Sequence, residues 1–235
     1  MTALSNLKVF ATHPHQCSYL DDRQAITLFI DPETDIDKQT YSELADLGFR
    51  RSGPHIYRPH CDNCKACIPV RVPVADFKPN RKQRRTINRN DDLTIKEVDN
   101  IKSEECYQLY RRYITVRHHD GDMYPPTREQ YDSFLNNEFG NTRYFTMSRD
   151  DQLLAVAVTD IMDHGLSAMC TFFDPDCAKR SLGSFAILWQ IKHCAELELP
   201  YLYLGYWIRQ CQKMNYKSDY RPLQLLIDNR WVSIT

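Results

Sequence analysis

An α+β fold is predicted by three features of this 235-residue chain. Strand-patterned segments joined by tight turns fill residues 143–174, a long apolar helix pattern follows at 184–198, and two capped helix patterns precede them. These features define a unit over residues 96–235. Residues 1–95 read as a smaller N-terminal α/β lobe with a cysteine-rich loop and a basic segment.

In the first lobe, QAITLFID (24–31) has the composition of a strand. Thr40 and Glu43 have capping-box spacing for a helix whose apolar face is Tyr41, Leu44 and Leu47, and Gly48 supplies the stop. Strands are expected at 51–57 and 68–74, with the cysteine loop between them. The second unit opens with SEECYQLYRRYITVRHH (103–119), which sets Cys106, Leu109, Tyr110, Tyr113 and Ile114 along one helix stripe. Thr127 and Gln130 cap a second helix carrying Tyr131, Phe134 and Leu135. The period then changes to two. RYFTMS, QLLAVAVTDIM and LSAMCTFFD form three strands, separated by the turn signals Arg149-Asp150-Asp151 and Asp163-His164-Gly165. PDCAKRSLG leads into the helix SFAILWQIKHCAELE, which returns to the strand YLYLGYW (201–207).

Composition bounds the function classes. The apolar and charged fractions, 42% and 26%, are those of a globular protein, and no stretch approaches the ~18 apolar residues of a membrane span. MTALSNLKVF lacks a signal peptide's basic start and apolar run, so a cytoplasmic protein without a membrane partner is expected. Nine cysteines without an export signal argue for free thiols or metal ligands over a disulfide framework. The net charge of -1 conceals an asymmetry: residues 1–48 sum to -5, residues 49–90 to +9, and residues 91–235 to -5. KPNRKQRRTINRN (78–90) carries six cations and no carboxylate, and on a helix Lys78, Arg81, Lys82, Arg85 and Arg89 would share one face. Such a run is either a solvated face or a polyphosphate site; RNA is favoured over DNA because no groove-reading motif accompanies it.

Antiparallel strands, a Gly-containing loop at a helix N-terminus and one further strand resemble a GNAT-type acyltransferase core. In acetyl-CoA-binding members the loop keeps small residues so that backbone N–H groups approach a pyrophosphate. Here Arg180-Ser181-Leu182-Gly183-Ser184 fits that pattern, and Phe185 stands at the last small position, where its ring is expected to crowd a pyrophosphate.

CSYL (17–20), the stretch 44–85, LYRRYITVRHHDGDM (109–123), FFDPDCAKRSLGSFAILWQI (172–191) and YLYLGYWIRQCQKMNYKSDYRPLQ (201–224) together resemble the aminoacyl-tRNA–protein transferases, specifically their short bacterial branch, the aspartate/glutamate leucyltransferases. The resemblance covers nearly the whole chain. It implies transfer of leucine from leucyl-tRNA to the N-terminal amine of proteins beginning with Asp or Glu, which marks them for degradation by the N-end rule. No cofactor is required for that reaction. Arginine as the donated residue, a CoA-dependent N-acetyltransferase, and an RNA-binding module without catalysis are the alternatives.

On this reading, Tyr206 and Trp207 border the reacting ester at the end of a core strand, and Lys213, Lys217 and Arg221 hold the terminal phosphates of the tRNA. Lys179, Arg180, Ser181, Leu182 and Gly183 serve its last nucleotides, and Arg81, Arg84 and Arg85 its backbone. Asp174 and Asp160, at the ends of predicted strands, are the acid–base candidates alongside Tyr206. Arg117 and His118 match the family's motif and are expected to pair with the acceptor's acidic side chain. Cys61, Cys64 and Cys67, in two overlapping C-x-x-C spacings, could with Cys17 supply four thiolates to zinc or an iron–sulfur cluster. Eukaryotic relatives carry C-x-x-C in the first motif and adjacent cysteines in the second; Leu20 and Lys65 replace one cysteine of each here.

Overall fold

The computed structural model of the chain describes residues 4–135 and 140–235. Strands β1 (Val9–Ala11), β2 (His15–Gln16), β3 (Gln24–Ala25) and β4 (Thr27–Ile30) begin it. The run expected as one strand is broken at Ile26, because its two halves pair with different partners, β3 with β2 and β4 with β1. Helix α1 (Lys38–Asp46) is capped by Asp37, whose carboxylate accepts from the Thr40 amide at 2.7 Å. The Thr40–Glu43 box is therefore not formed, and Thr40 lies buried inside the first turn. Gly48, at φ +89°, takes the left-handed position after the helix, and a Cβ there would lie 2.9 Å from both Leu226 and Pro69. The stretch expected as a strand over 51–57 is a hairpin, β5 (Arg50–Ser52) and β6 (His55–Pro59), turning at Gly53 with φ +58°. The small sheet runs β1-β4-β6-β5.

β7 (Ile68–Pro73) leaves that lobe, and α2 (Arg81–Arg89) follows it. Asn80 and Gln83 cap α2 reciprocally, at 2.9 and 2.8 Å, and Gln83 and Thr86 face inward while the cations face out. β8 (Thr94–Val98) is an edge strand. Helix α3 (Glu104–Arg117) is capped by Ser103 and buries Cys106, Leu109, Tyr110 and Ile114. In α4 (Arg128–Leu135) the Gln130 amide bonds Thr127 Oγ1 at 3.1 Å.

The predicted meander is β9 (Thr142–Arg149), β10 (Gln152–Met162) and β11 (Gly165–Phe173). Asp150 and Asp151, with φ +46° and +62°, turn the first hairpin. Helix α5 (Leu182–Glu196) then crosses to β12 (Tyr201–Trp207), and a short α6 (Gln212–Asn215) and the hairpin β13 (Leu223–Ile227), β14 (Arg230–Ile234) complete the chain. The large sheet has the order β14-β13-β7-β12-β11-β10-β9-β8. β7, which precedes residue 95, sits between β12 and β13, so this sheet draws on both sides of the expected boundary.

Alternation along β10 covers both faces. Val156 and Val158 pack with Leu109, Tyr110 and Ile114 of α3, while Ala155 and Ala157 pack with Leu182, Phe185 and Ala186 of α5. Every neighbouring pair is antiparallel except β11 and β12, which the α5 crossover makes parallel. They pair only from Gly165↔Tyr201 to Ser167↔Tyr203. Register shifts flank this stretch, at Val158/Thr159 in β10 and at Tyr203/Gly205 in β12. Beyond it the two strands part, and a cleft opens between them.

Candidate functional site

A cavity of about 890 Å³ fills the parting of β11 and β12. Its floor is Ala168–Thr171 and Phe173 on one side and Leu204–Tyr206 on the other. Gly205, at φ +78°, has nothing within 4 Å of where a Cβ would stand. One wall is the first turn of α5. Ser181, left-handed at φ 55° and ψ 46°, ends the preceding 3-10 turn (Pro175–Arg180) and starts the helix. The amide groups of Leu182, Gly183 and Ser184 have no acceptor within the helix and carry the positive end of its dipole. These residues line the cavity, and a Cβ on Gly183 would stand 3.0 Å from the Phe173 ring.

Among the described residues, no aspartate or glutamate lines this cavity, whereas Arg50, Arg51, Arg117, Lys213 and Lys217 do. Lys217 is 5% exposed, and its Nζ donates to the Tyr206 carbonyl at 2.6 Å and to Met214 Sδ at 3.3 Å. Burial, then the nearby charge of Arg50, pushes its ammonium down to about 7. His118 caps α3, hydrogen-bonds the Tyr113 hydroxyl at 3.1 Å and lies against that ring at a tilt of 59°. Burial first, then Lys213 and Arg117, lower its pKa and so favour the uncharged imidazole. Exposed Arg117 stands beside it. Tyr19, Tyr57, Tyr113 and Tyr216 add aromatic faces. A second cavity, about 560 Å³, is lined by Asp31, Glu33, Asp35 and Asp37 with Lys38, and its charge repels a polyanion.

Of the residues expected from sequence, Arg117, His118, Ser181, Leu182, Gly183, Tyr206, Lys213 and Lys217 meet at the cleft. Several expected roles are corrected by the geometry. Asp160 is fully buried: Arg51 Nε and Nη2 bind its two oxygens at 2.8 and 2.7 Å, and Thr142 and Tyr41 bind them at 2.8 and 3.1 Å, so no lone pair is left for proton transfer. Asp174, 4% exposed, caps the 3-10 turn through the Asp176 amide and binds Arg112 at 2.9 Å. The Tyr206 hydroxyl donates to the Gly48 carbonyl at 2.8 Å, and burial raises its pKa well above the usual phenol value; its ring and carbonyl remain at the cleft.

Lys217 is buried rather than displayed to phosphates, and Lys213 is paired with Asp120. Arg221 donates to the Ser218 and Thr235 carbonyls, and the Trp207 indole donates to Asn215 O at 3.2 Å; neither side chain lines the cavity. Arg180 forks onto Asp92 with two bonds of 2.8 Å, while the Lys179 carbonyl accepts from Arg89. Phe185 packs against Phe145, Met147 and Leu182 in the core, so it does not crowd the helix N-terminus as its position in the sequence suggested. Arg81, Arg84 and Arg85 lie exposed on α2, without a described carboxylate partner.

Cys17, Cys61 and Cys64 stand close enough to Cys67 to act on it electrostatically, and burial, then these neighbours, push the Cys67 thiol up to about 12. Cys61 donates to the Ile26 carbonyl. Among the described residues, no group of three or more His, Cys, Asp or Glu forms that could hold a metal, so the four expected ligands do not converge as a site. Sequence reasoning missed Arg50, which is 5% exposed. The signal was the doublet Arg50-Arg51 in a short strand between the apolar Phe49 and the turn at Gly53.

The sequence profile described as "Arginine-tRNA-protein transferase, N terminus" matches residues 15–85, and that described as "Arginine-tRNA-protein transferase, C terminus" matches residues 105–227. The "Aspartate/glutamate leucyltransferase" of Teredinibacter turnerae is 59% identical over 236 residues, covering 100% of this chain and 97% of that protein. The protein of the same name from Pseudomonas fluorescens strain Pf0-1 is 54% identical over 232 residues, covering 99% of each.

Proposed function

The chain belongs to the arginine-tRNA–protein transferase family, and from that premise we propose that its cleft carries out aminolysis of an aminoacyl-tRNA ester. Leucine passes from leucyl-tRNA to the N-terminal amine of a protein beginning with Asp or Glu, which marks that protein for degradation by the N-end rule. The observation that carries this reading is a cavity at a helix N-terminus, lined by cations and by no described carboxylate. Such a site favours an anionic polymer's end and an oxyanion.

The meander β8–β11, the α5 crossover and parallel β12 support a GNAT-like acyltransferase core. Because Phe185 faces the core, it is no argument against a pyrophosphate, and the choice of aminoacyl-tRNA over acetyl-CoA rests on the family.

The chemistry balances without a cofactor. The acceptor nitrogen attacks the ester carbonyl, a C–N bond forms, the C–O bond to the terminal ribose breaks, and the amine's proton leaves with the ribose hydroxyl. Leu182 and Gly183 amides face the oxygen on which negative charge develops. Lys217 takes the amine proton: at a pKa of about 7 it is partly neutral at physiological pH, and it returns the proton to the departing ribose oxygen. Tyr19, Tyr57, Tyr113 and Tyr216 offer stacking faces to the unpaired 3′ end. The exposed cations of α2 flank α5 through bonds from Asn90 and Arg89 to the 175–180 turn, and they suit the acceptor stem's phosphates. No described helix is long and apolar enough to cross a membrane; the cytoplasm, where charged tRNA is found, is the proposed site of action.

Mixing the protein with pools of charged tRNA and peptides beginning with Asp, Glu, Arg or Ala tests this. Mass analysis should find leucine added to the Asp and Glu peptides only. Addition of acetyl from acetyl-CoA, or tRNA binding with no peptide modified, contradicts it.

A further inference from the structure

We propose that Arg50 reads the acceptor's first side chain, binding its carboxylate through the Nε/Nη2 edge of the guanidinium; this rests on the acyl-transfer reading of the cleft.

Arg50 follows α1 at the start of β5. Its Nη1 is fixed by the Ala45 and Phe49 carbonyls, at 3.0 and 2.6 Å, and its Cζ lies 5.2 and 5.9 Å from the ring centroids of Tyr203 and Tyr206. Those contacts set the plane of the group and leave one edge unused. Nε and Nη2 are buried and have no hydrogen-bond partner among the described residues. A buried guanidinium with an unfilled edge is costly unless an acceptor arrives.

The neighbouring residue shows what that edge takes. Arg51 offers the same two nitrogens to the two oxygens of Asp160, in a planar, two-bond pair contained wholly within the fold. Arg50 lines the cleft, and no described carboxylate does, so the fold leaves that edge to be filled from the cleft, where a ligand carboxylate would supply both oxygens. The planar edge matches a carboxylate's two oxygens. The backbone phosphates of a tRNA have exposed cations on α2 to meet them.

The acceptor must also bring an amine into a cavity that Arg50 and Arg117 make positive. An α-amine with a pKa of roughly 8 is mostly ammonium at neutral pH and is repelled there. An N-terminal Asp or Glu carries a compensating carboxylate a few bonds away, and Asn, Gln, Arg or Ala does not. Selection for acidic N-termini then follows from charge balance, with Arg50 as the geometric anchor. Arg117, exposed at the rim, is left to steer rather than to anchor.

The test uses the full chain and two independent arms. With leucyl-tRNA saturating, Arg50→Lys keeps the charge and loses the fork; the KM for Asp and Glu peptides should rise on the order of tenfold or more, and the preference for Asp over Asn should shrink in step. The KM for leucyl-tRNA should stay within about twofold. Equal losses on Asp and Asn peptides, or a loss confined to leucyl-tRNA, overturn the proposal. Calorimetry on the wild-type protein without tRNA decides the matter even where the variant fails to fold. A dipeptide beginning with Asp should bind at least about tenfold more tightly than its Asn counterpart, and equal binding overturns the proposal. Asp-selective binding in a protein that transfers no leucine would sink the reaction reading alone.

Discussion

Lys217 Nζ lies 2.6 Å from the main-chain oxygen of Tyr206, at the point where β12 has parted from β11. This bond anchors an ammonium in the wall of the cleft with no carboxylate beside it, and burial pushes it from 10.5 down to about 7. Between pH 7 and 10.5 the unfolded chain holds a proton at this lysine that the folded chain has lost, so its contribution to stability rises with pH across that window. Below pH 7 the full cost of the buried charge is present, on the order of a few kcal/mol. Lys217→Met should therefore stabilise the protein more at pH 6 than at pH 10, as denaturant unfolding at the two pH values would show. An equal effect at both would mean that the lysine titrates normally.

Asp160 is a structural residue, and its loss should be felt as instability. Asp160→Ala removes the carboxylate that neutralises buried Arg51 and should cost roughly 3–5 kcal/mol in urea unfolding, while the fraction that stays folded transfers leucine at near the wild-type rate. A stable Asp160→Ala protein that is inactive would restore a role in the chemistry.

Gly183 stands in the first turn of α5, where a side chain would push on Phe173 across 3.0 Å at the cleft floor. Gly183→Val should lower kcat for transfer by on the order of tenfold to a hundredfold, by displacing the amide groups proposed to face the oxyanion. Circular dichroism should stay close to wild type. Normal transfer by this variant would remove the helix N-terminus from the mechanism.

The cations of α2 have no described carboxylate partner, so their interaction with tRNA should be governed by counterion release. Replacing Arg81, Arg84 and Arg85 together with Gln should flatten the dependence of log affinity on log salt by roughly 0.7–0.9 for each phosphate that is no longer neutralised. A filter-binding salt titration measures that slope directly, and an unchanged slope would leave the helix as a solvated face.

Much of this fold was legible in the sequence because its signals are local. The apolar run of β10, the Asp150-Asp151 turn and the apolar stripe of α3 all appear where the pattern puts them. The β13–β14 hairpin was missed although Asp228-Asn229, at φ +47° and +60°, is a turn of the same kind. The site was harder to read because it depends on distant pairings. Asp160 is 109 positions from Arg51, and that long-range pairing turns a candidate acid into a structural ion pair. Lys217 looked like one of a row of surface cations spaced four apart; the short turns after α6 instead fold it beneath Tyr206. Arg50 carried no chemical motif, and its unfilled edge exists only in the packed molecule.

If the cleft performs the acyl transfer with Lys217 as its proton acceptor, the chemical step itself must slow when that amine is removed. The quantity to compare between wild type and Lys217→Met is the single-turnover rate of leucine transfer from prebound leucyl-tRNA to an Asp peptide. A loss on the order of a hundredfold or more is expected, with tRNA affinity unchanged. Wild-type single-turnover rates in the variant would strip Lys217 of that role.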